Sequence, residues 1–115
     1  MDIFIKGKFP SLNEVNNANR YNRYAGAKLK KETEYAIMLQ LSQHKDKFEY
    51  AHIDFIWYEQ NRKRDPDNLA SAKKFILDCL VKNGNIPNDG WKNIAGFTDT
   101  WVIGENGVNI IIKEV

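Results

Sequence analysis

The sequence predicts one small α+β domain in which two main helices pack on a mixed sheet, in the order β-α-β-α-β-β. Three observations lead to it. At 115 residues the chain has room for a single domain, residues 1–115, and none for a second. Segments with strand-like alternation are separated by two stretches of helical periodicity. A 43% hydrophobic and 12% aromatic content is enough for a core, which sets general disorder aside.

Residues 2–8, Asp-Ile-Phe-Ile-Lys-Gly-Lys, read as the first strand. Pro10 to about Asn22 is polar and carries Asn13, Asn16, Asn17, Asn19 and Asn22, so it reads as a loop. From about Ala25 to Gln43, good helix formers and the partial stripe Leu29, Ala36, Ile37 and Leu41 predict the first helix. Over Ala51 to Tyr58, Ile53, Phe55 and Trp57 alternate with His52, Asp54 and Ile56, the pattern of a strand with one buried face. The second helix is the clearest element. It begins at Asp65-Pro66-Asp67-Asn68 and stops at Gly84, with Leu69, Ala72, Ile76, Cys79 and Leu80 on one side. The same projection gathers Asp67, Ser71, Lys74 and Asp78 in a narrow opposite sector. After a loop through Asn88-Asp89-Gly90, residues 94–103 and 108–113 read as a closing hairpin with Gly104-Glu105-Asn106-Gly107 as its turn.

Several classes of function are excluded early. Cys79 is the only cysteine, so an internal disulfide and a multi-thiolate metal site are both ruled out. No apolar run approaches the roughly 18 residues of a membrane span, and no apolar leader opens the sequence. The expectation is a cytoplasmic protein with no membrane partner. The net charge of +2 says little, but its distribution says more. Lys6, Lys8, Arg20, Arg23, Lys28, Lys30 and Lys31 face only Asp2 and Glu14 in the first 31 residues, and Arg62-Lys63-Arg64 runs straight into Asp65. Such blocks are usually solvated surface. Beside a cluster of acids, they also suit a phosphate backbone next to a cation site.

Asp65 and Asp67, two residues apart in extended chain, point the same way at roughly 7 Å along the backbone. Magnesium takes oxygen ligands, often one or two carboxylates, and meets phosphate on its open side. The same two acids also suit plain helix capping. Asp89 reads either as an Asp-Gly turn or as a third ligand, and spacing leaves open whether it meets the other two. Lys74, two turns beyond Asp67 and four residues before Asp78, is either a surface ion pair or an ammonium that holds a phosphate. Lys73 points out of that sector. His44 and His52 have no ligand-like spacing, Cys79 falls in the apolar stripe, and Trp57, Trp91 and Trp101 read as core or interface.

Taken in order, Arg64-Asp65-Pro66-Asp67-Asn68-Leu69, Lys74-Phe75-Ile76-Leu77-Asp78-Cys79-Leu80 and Ile86-Pro87-Asn88-Asp89-Gly90-Trp91 resemble the RusA family of Holliday junction resolvases, phage and prophage members above all. Phe9-Pro10-Ser11-Leu12-Asn13 resembles that family's N-terminal Pro-Ser-x-Asn segment, and the likeness runs from about Lys6 to Lys113. The resemblance implies a RusA-like, homodimeric, magnesium-dependent endodeoxyribonuclease (manganese as a substitute) that nicks four-way DNA junctions symmetrically. It assigns Asp65, Asp67 and Asp89 to metal and catalysis and Lys74 to catalysis. Asp78, Asn68 and Asn13 are expected as supporting residues, and the basic segments, Arg20, Arg23, Lys28, Lys30, Lys31, Arg62, Lys63 and Arg64, are expected to bind DNA. Asn88 stands where many members carry a second acid. A two-fold junction needs two matched cuts, which an isologous dimer supplies. The alternatives are a non-catalytic branched-DNA-binding module and a structural or regulatory phage protein whose acids only cap helices.

Overall fold

Ile53, Phe55 and Trp57 are all buried, and the strand that carries them lies inside the sheet. The computed structural model describes residues 1–115. Its elements are β1 (Asp2–Lys6), α1 (Leu12–Tyr21), α2 (Arg23–Leu41), β2 (Ala51–Glu59), α3 (Pro66–Ala70), α4 (Lys73–Lys82), β3 (Ile94–Ile103) and β4 (Gly107–Glu114). The four strands form one sheet in the order β1-β4-β2-β3. β4 runs antiparallel to both β1 and β2, whereas β3 runs parallel to β2, so the sheet is mixed. β2, the α3–α4 segment and β3 make a βαβ unit. The fold class is therefore the expected small α+β domain.

One core joins the sheet to two helices. Ile3 and Ile5 of β1, Ile53 and Phe55 of β2, and Val108, Ile110 and Ile112 of β4 meet Ile37 and Leu41 of α2 and Ile76 and Leu80 of α4. All five residues of the predicted apolar stripe, Leu69, Ala72, Ile76, Cys79 and Leu80, are buried. Alternate residues of β2, from His52 to Tyr58, are only half-buried on the other face of the sheet.

Three expectations are corrected. The polar stretch from Pro10 to Asn22 is not a loop, because most of it is α1. Ser11 caps this helix by accepting from the Glu14 N–H, and its own hydroxyl donates to the Glu14 carboxylate. The second helix is broken into α3 and α4 around Ser71 and Ala72. There the Ser71 hydroxyl donates to the Asn68 carbonyl at 2.7 Å, and Ala72 N–H bonds three residues back to Leu69.

The closing hairpin does not form. β3 and β4 flank β2 on opposite sides, and Gly104 to Asn106 cross over the end of β2, where the Gly104 N–H donates to the Glu59 carbonyl. A Cβ at Gly107 would lie 2.7 Å from the Ile5 carbonyl and closer still to the Phe4 ring. That glycine permits a close strand approach and does not mark a hairpin turn.

Candidate functional site

Lys74 is the hub of the best-formed polar cluster. It lies in the first turn of α4, and its ammonium contacts Asp89 at 2.8 Å and Asp78 at 3.1 Å. Asp78 is one turn further along the same helix, while Asp89 comes from the loop that leads towards β3. The Asn88 side chain accepts the Asp89 backbone N–H at 2.6 Å and so fixes this loop locally. The hydrogen bond from Lys74 is the first cause that holds the Asp89 carboxyl below its ordinary value. The same bond, then that to Asp78, raises Lys74 above the usual lysine value. Both groups are therefore charged at neutral pH. Lys74 and Asp78 also line a shallow hollow of about 250 Å³ with Ser71 and, from the α1–α2 pair, Leu12 and Lys30.

Asp65 and Asp67 stand apart from this cluster. Asp65 caps α3 through its backbone only, with an extended conformation and no side-chain capping bond. Asp65 lines a cleft of about 370 Å³ at the C-terminal ends of β2 and β3, with Trp57, Arg62, Leu69 and Trp101. Asp67, in the first turn of α3, accepts only the Asn68 backbone N–H at 2.9 Å. Both acids are exposed, and neither pairs with a cation. The structure thus brings Lys74, Asp78 and Asp89 together and leaves Asp65 and Asp67 outside. No group of three or more His, Cys, Asp or Glu side chains lies close enough to hold a metal ion.

The remaining candidates divide by exposure. Arg20, Arg23, Lys28, Lys30 and Lys31 are exposed on α1 and α2, and Arg62 and Lys63 are exposed before α3. Arg64 turns inward. Its guanidinium clamps Glu59 through two bonds of 2.8 and 3.0 Å, and it also donates to the Phe9 carbonyl and Glu14. With its side chain only 15% exposed and four of its five N–H donors engaged within the chain, Arg64 ties β2 to α1 and is poorly placed to grip phosphate. Asn13 is exposed on α1, and Asn68 is half-buried on α3.

Sequence reasoning missed a second ion pair. Lys73 turns from the Lys74 sector towards the sheet, where it meets Asp99 of β3 at 2.7 Å and lies over the Phe55 and Phe97 rings. The Trp57 indole N–H donates to the other Asp99 oxygen at 2.9 Å. The readable signal was parity. Asp99 alternates with Phe97 and Trp101 on the helix-facing side of β3, and an acid on an apolar face requires a partner. Trp91, expected in the core or at an interface, is fully exposed two residues beyond Asp89 and takes no part in the core.

No protein-family model matches this chain, and a search of curated proteins found no match. No helix is long and apolar enough to cross a membrane.

Proposed function

We propose that this chain is a magnesium-dependent endodeoxyribonuclease of the RusA type, which resolves four-way DNA junctions by paired nicks as a homodimer. The observation that carries the reading is Lys74 held between Asp78 and Asp89, seven residues after the unpaired carboxylate of Asp67. Other lysines of this chain also meet an acid from a separate element, as Lys6 meets Glu105 and Lys82 meets Glu34, but Lys74 alone is held by two carboxylates at once. The resemblance of the Asp65-Pro66-Asp67-Asn68 and Asn88-Asp89-Gly90 segments to that family adds the reaction class. In this reading the protein acts in the cytoplasm of a bacterial host and is encoded by a phage or prophage.

The residues present fit magnesium in part. Asp65 and Asp67 are two free carboxylates, the number this ion commonly takes from a protein beside a phosphate. They are the residues that would hold it, with manganese as a substitute. Asp89 as a third ligand would have to give up Lys74. Bound there, the cation would supply charge neutralisation at phosphate and a more acidic water. Lys74, protonated at neutral pH, is suited to grip a phosphate oxygen, with Asp89 and Asp78 fixing its direction. Arg20, Arg23, Lys28, Lys30, Lys31, Arg62 and Lys63 supply the exposed positive charge for the DNA arms.

The homodimer has a surface available. β3 is an edge strand of ten residues with no Lys or Pro, and Trp101, Val102 and Ile103 on it are exposed. Natural sheets guard or pair such edges.

A second reading, the non-catalytic branched-DNA-binding module, is favoured by one observation: Asp89 is neutralised by Lys74 and not gathered with Asp65 and Asp67. A gel shift and a nicking assay on one synthetic four-way junction separate the two. Nicks that require magnesium support the nuclease. A shifted band that is never nicked under any divalent cation supports the binding module.

A further inference from the structure

The α1–α2 pair holds aromatic rings out in water beside a surplus of positive charge. Tyr21 is 81% exposed, Tyr24 87% and Tyr35 67%. On a helix with about 100° between residues, Tyr24, Lys28, Lys31 and Tyr35 fall within one narrow outward stripe, and Tyr24 and Tyr35 stand roughly 16 Å apart along the axis. Tyr21 sits across the corner at the end of α1. All of these residues are exposed.

The corner is built rather than loose. Asn22 caps α2 by accepting the Ala25 N–H at 2.7 Å, and its backbone N–H bonds to the Ala18 carbonyl. Gly26 is pressed against the Asn19 side chain so closely that a Cβ there would collide with it. The two helices are therefore locked at the point from which Tyr21 and Tyr24 project.

The charge around the rings is one-sided. Of the acids on these helices, Glu14 is drawn to Arg64 and Glu34 is buried against Lys82, which leaves Glu32 as the one outward acid, paired loosely with Lys28 at 3.9 Å. Arg20, Arg23, Lys30 and Lys31 have no acidic partner. Exposed rings interleaved with unpaired cations are the complement of a strand whose bases are unstacked and whose phosphates lie alongside.

We propose that this face binds unpaired bases of DNA, with Tyr21, Tyr24 and Tyr35 as stacking platforms and Lys28 and Lys31 on the backbone. It rests on and deepens the proposed function: base pairs next to a point of strand exchange lack a continuous stack and open more readily than those inside a duplex, and these rings would hold the bases so exposed. It requires no cutting, so its failure and that of the nuclease are distinguishable.

The test is fluorescence anisotropy of a labelled oligodeoxythymidine and of a blunt duplex of equal length, both in EDTA. The wild type prefers the single strand. Tyr24→Ala and Tyr35→Ala each weaken single-strand binding by roughly 5- to 100-fold, whereas Tyr24→Phe retains it. Duplex binding barely changes in any of them. Lys31→Ala lowers the salt slope on the single strand by about 0.7, which the tyrosine variants leave unaltered. These side chains are exposed, so the variants keep the fold. The proposal is overturned if both Tyr→Ala variants bind single strands like the wild type, or lose duplex and single-strand binding equally. A protein that never nicks a junction yet binds single strands through Tyr24 would support this inference and remove the nuclease reading.

Discussion

At the scale of single residues, the pair of adjacent lysines is the most informative feature. Lys73 and Lys74 differ by 100° on the helix, and that turn sends one to Asp99 beneath the sheet edge and the other to Asp89 at the surface. Their removal has different consequences. Lys74→Ala removes an exposed cation and is expected to change stability by less than about 1 kcal/mol; under the proposed function it lowers junction nicking by about 10²-fold in the nicking assay on a synthetic junction. The same substitution returns Asp89 to the ordinary carboxylate range, measurable as the NMR titration midpoint of its side chain. The pH window of the pair follows from the signs. Asp89 is shifted down, so its contribution is present above the ordinary carboxylate value of about 3.9 and is lost as pH falls through its folded value. Lys74 is shifted up, so its contribution is present below about 10.4 and is lost as pH rises through its folded value. The pair is intact across the neutral range. Asp99→Ala acts on the fold, because it leaves both the Lys73 ammonium and the Trp57 indole N–H without their acceptor. With the pair about one-fifth exposed, urea denaturation is expected to find a loss of about 1–3 kcal/mol and an unchanged m-value.

Among the elements, the buried stripe from Leu69 to Leu80 was legible because it recurs at the helical period, whereas the break between α3 and α4 at Ser71 and Ala72 leaves that period nearly unchanged and was not. α1 was hidden by its asparagines, although Ser11-Leu12-Asn13-Glu14 carries the Ser-x-x-Glu signature of a helix start. The placement of β4 was not legible at all. Strand order depends on contacts far apart in sequence, and the glycines at 104 and 107 give the same local signal for a hairpin turn as for a crossing over β2. The site divides in the same way. Lys74 and Asp78 were readable together because they share a helix face, whereas the partnership with Asp89 spans a loop whose return path the sequence does not encode locally. Two further tests belong to this scale. Asn85 is fully buried and donates to the His44 and Asp46 carbonyls, pinning the segment between α2 and β2. Asn85→Ala leaves the Asp46 carbonyl without its donor and the His44 carbonyl with only the Asn83 amide, and is expected to cost about 1–3 kcal/mol by urea denaturation. Cys79 is buried between α4 and α2, and burial, then the nearby Glu34 charge, pushes its thiol up to about 11. A thiol reagent at pH 8 should leave the native protein almost unmodified and react rapidly once it is unfolded.

The whole molecule is a half-open structure: helices cover one face of the sheet, β3 forms an uncovered edge, and the α1–α2 pair and the Lys74 cluster lie on the helical side. If β3 is the seam of the homodimer, sedimentation should give twice the 13.4 kDa of one chain, and Val102→Lys should return it to a monomer with the same circular dichroism. In the proposed function, Asp67, which has no cationic partner in the folded chain, serves a metal-dependent nuclease. The most direct test of that role is nicking of a synthetic mobile four-way junction by the wild type and by Asp67→Asn, each with magnesium and with EDTA. Paired nicks are expected from the wild type only with magnesium, with a loss of about 10²-fold or more in the variant. Undiminished magnesium-dependent nicking by Asp67→Asn would contradict that role.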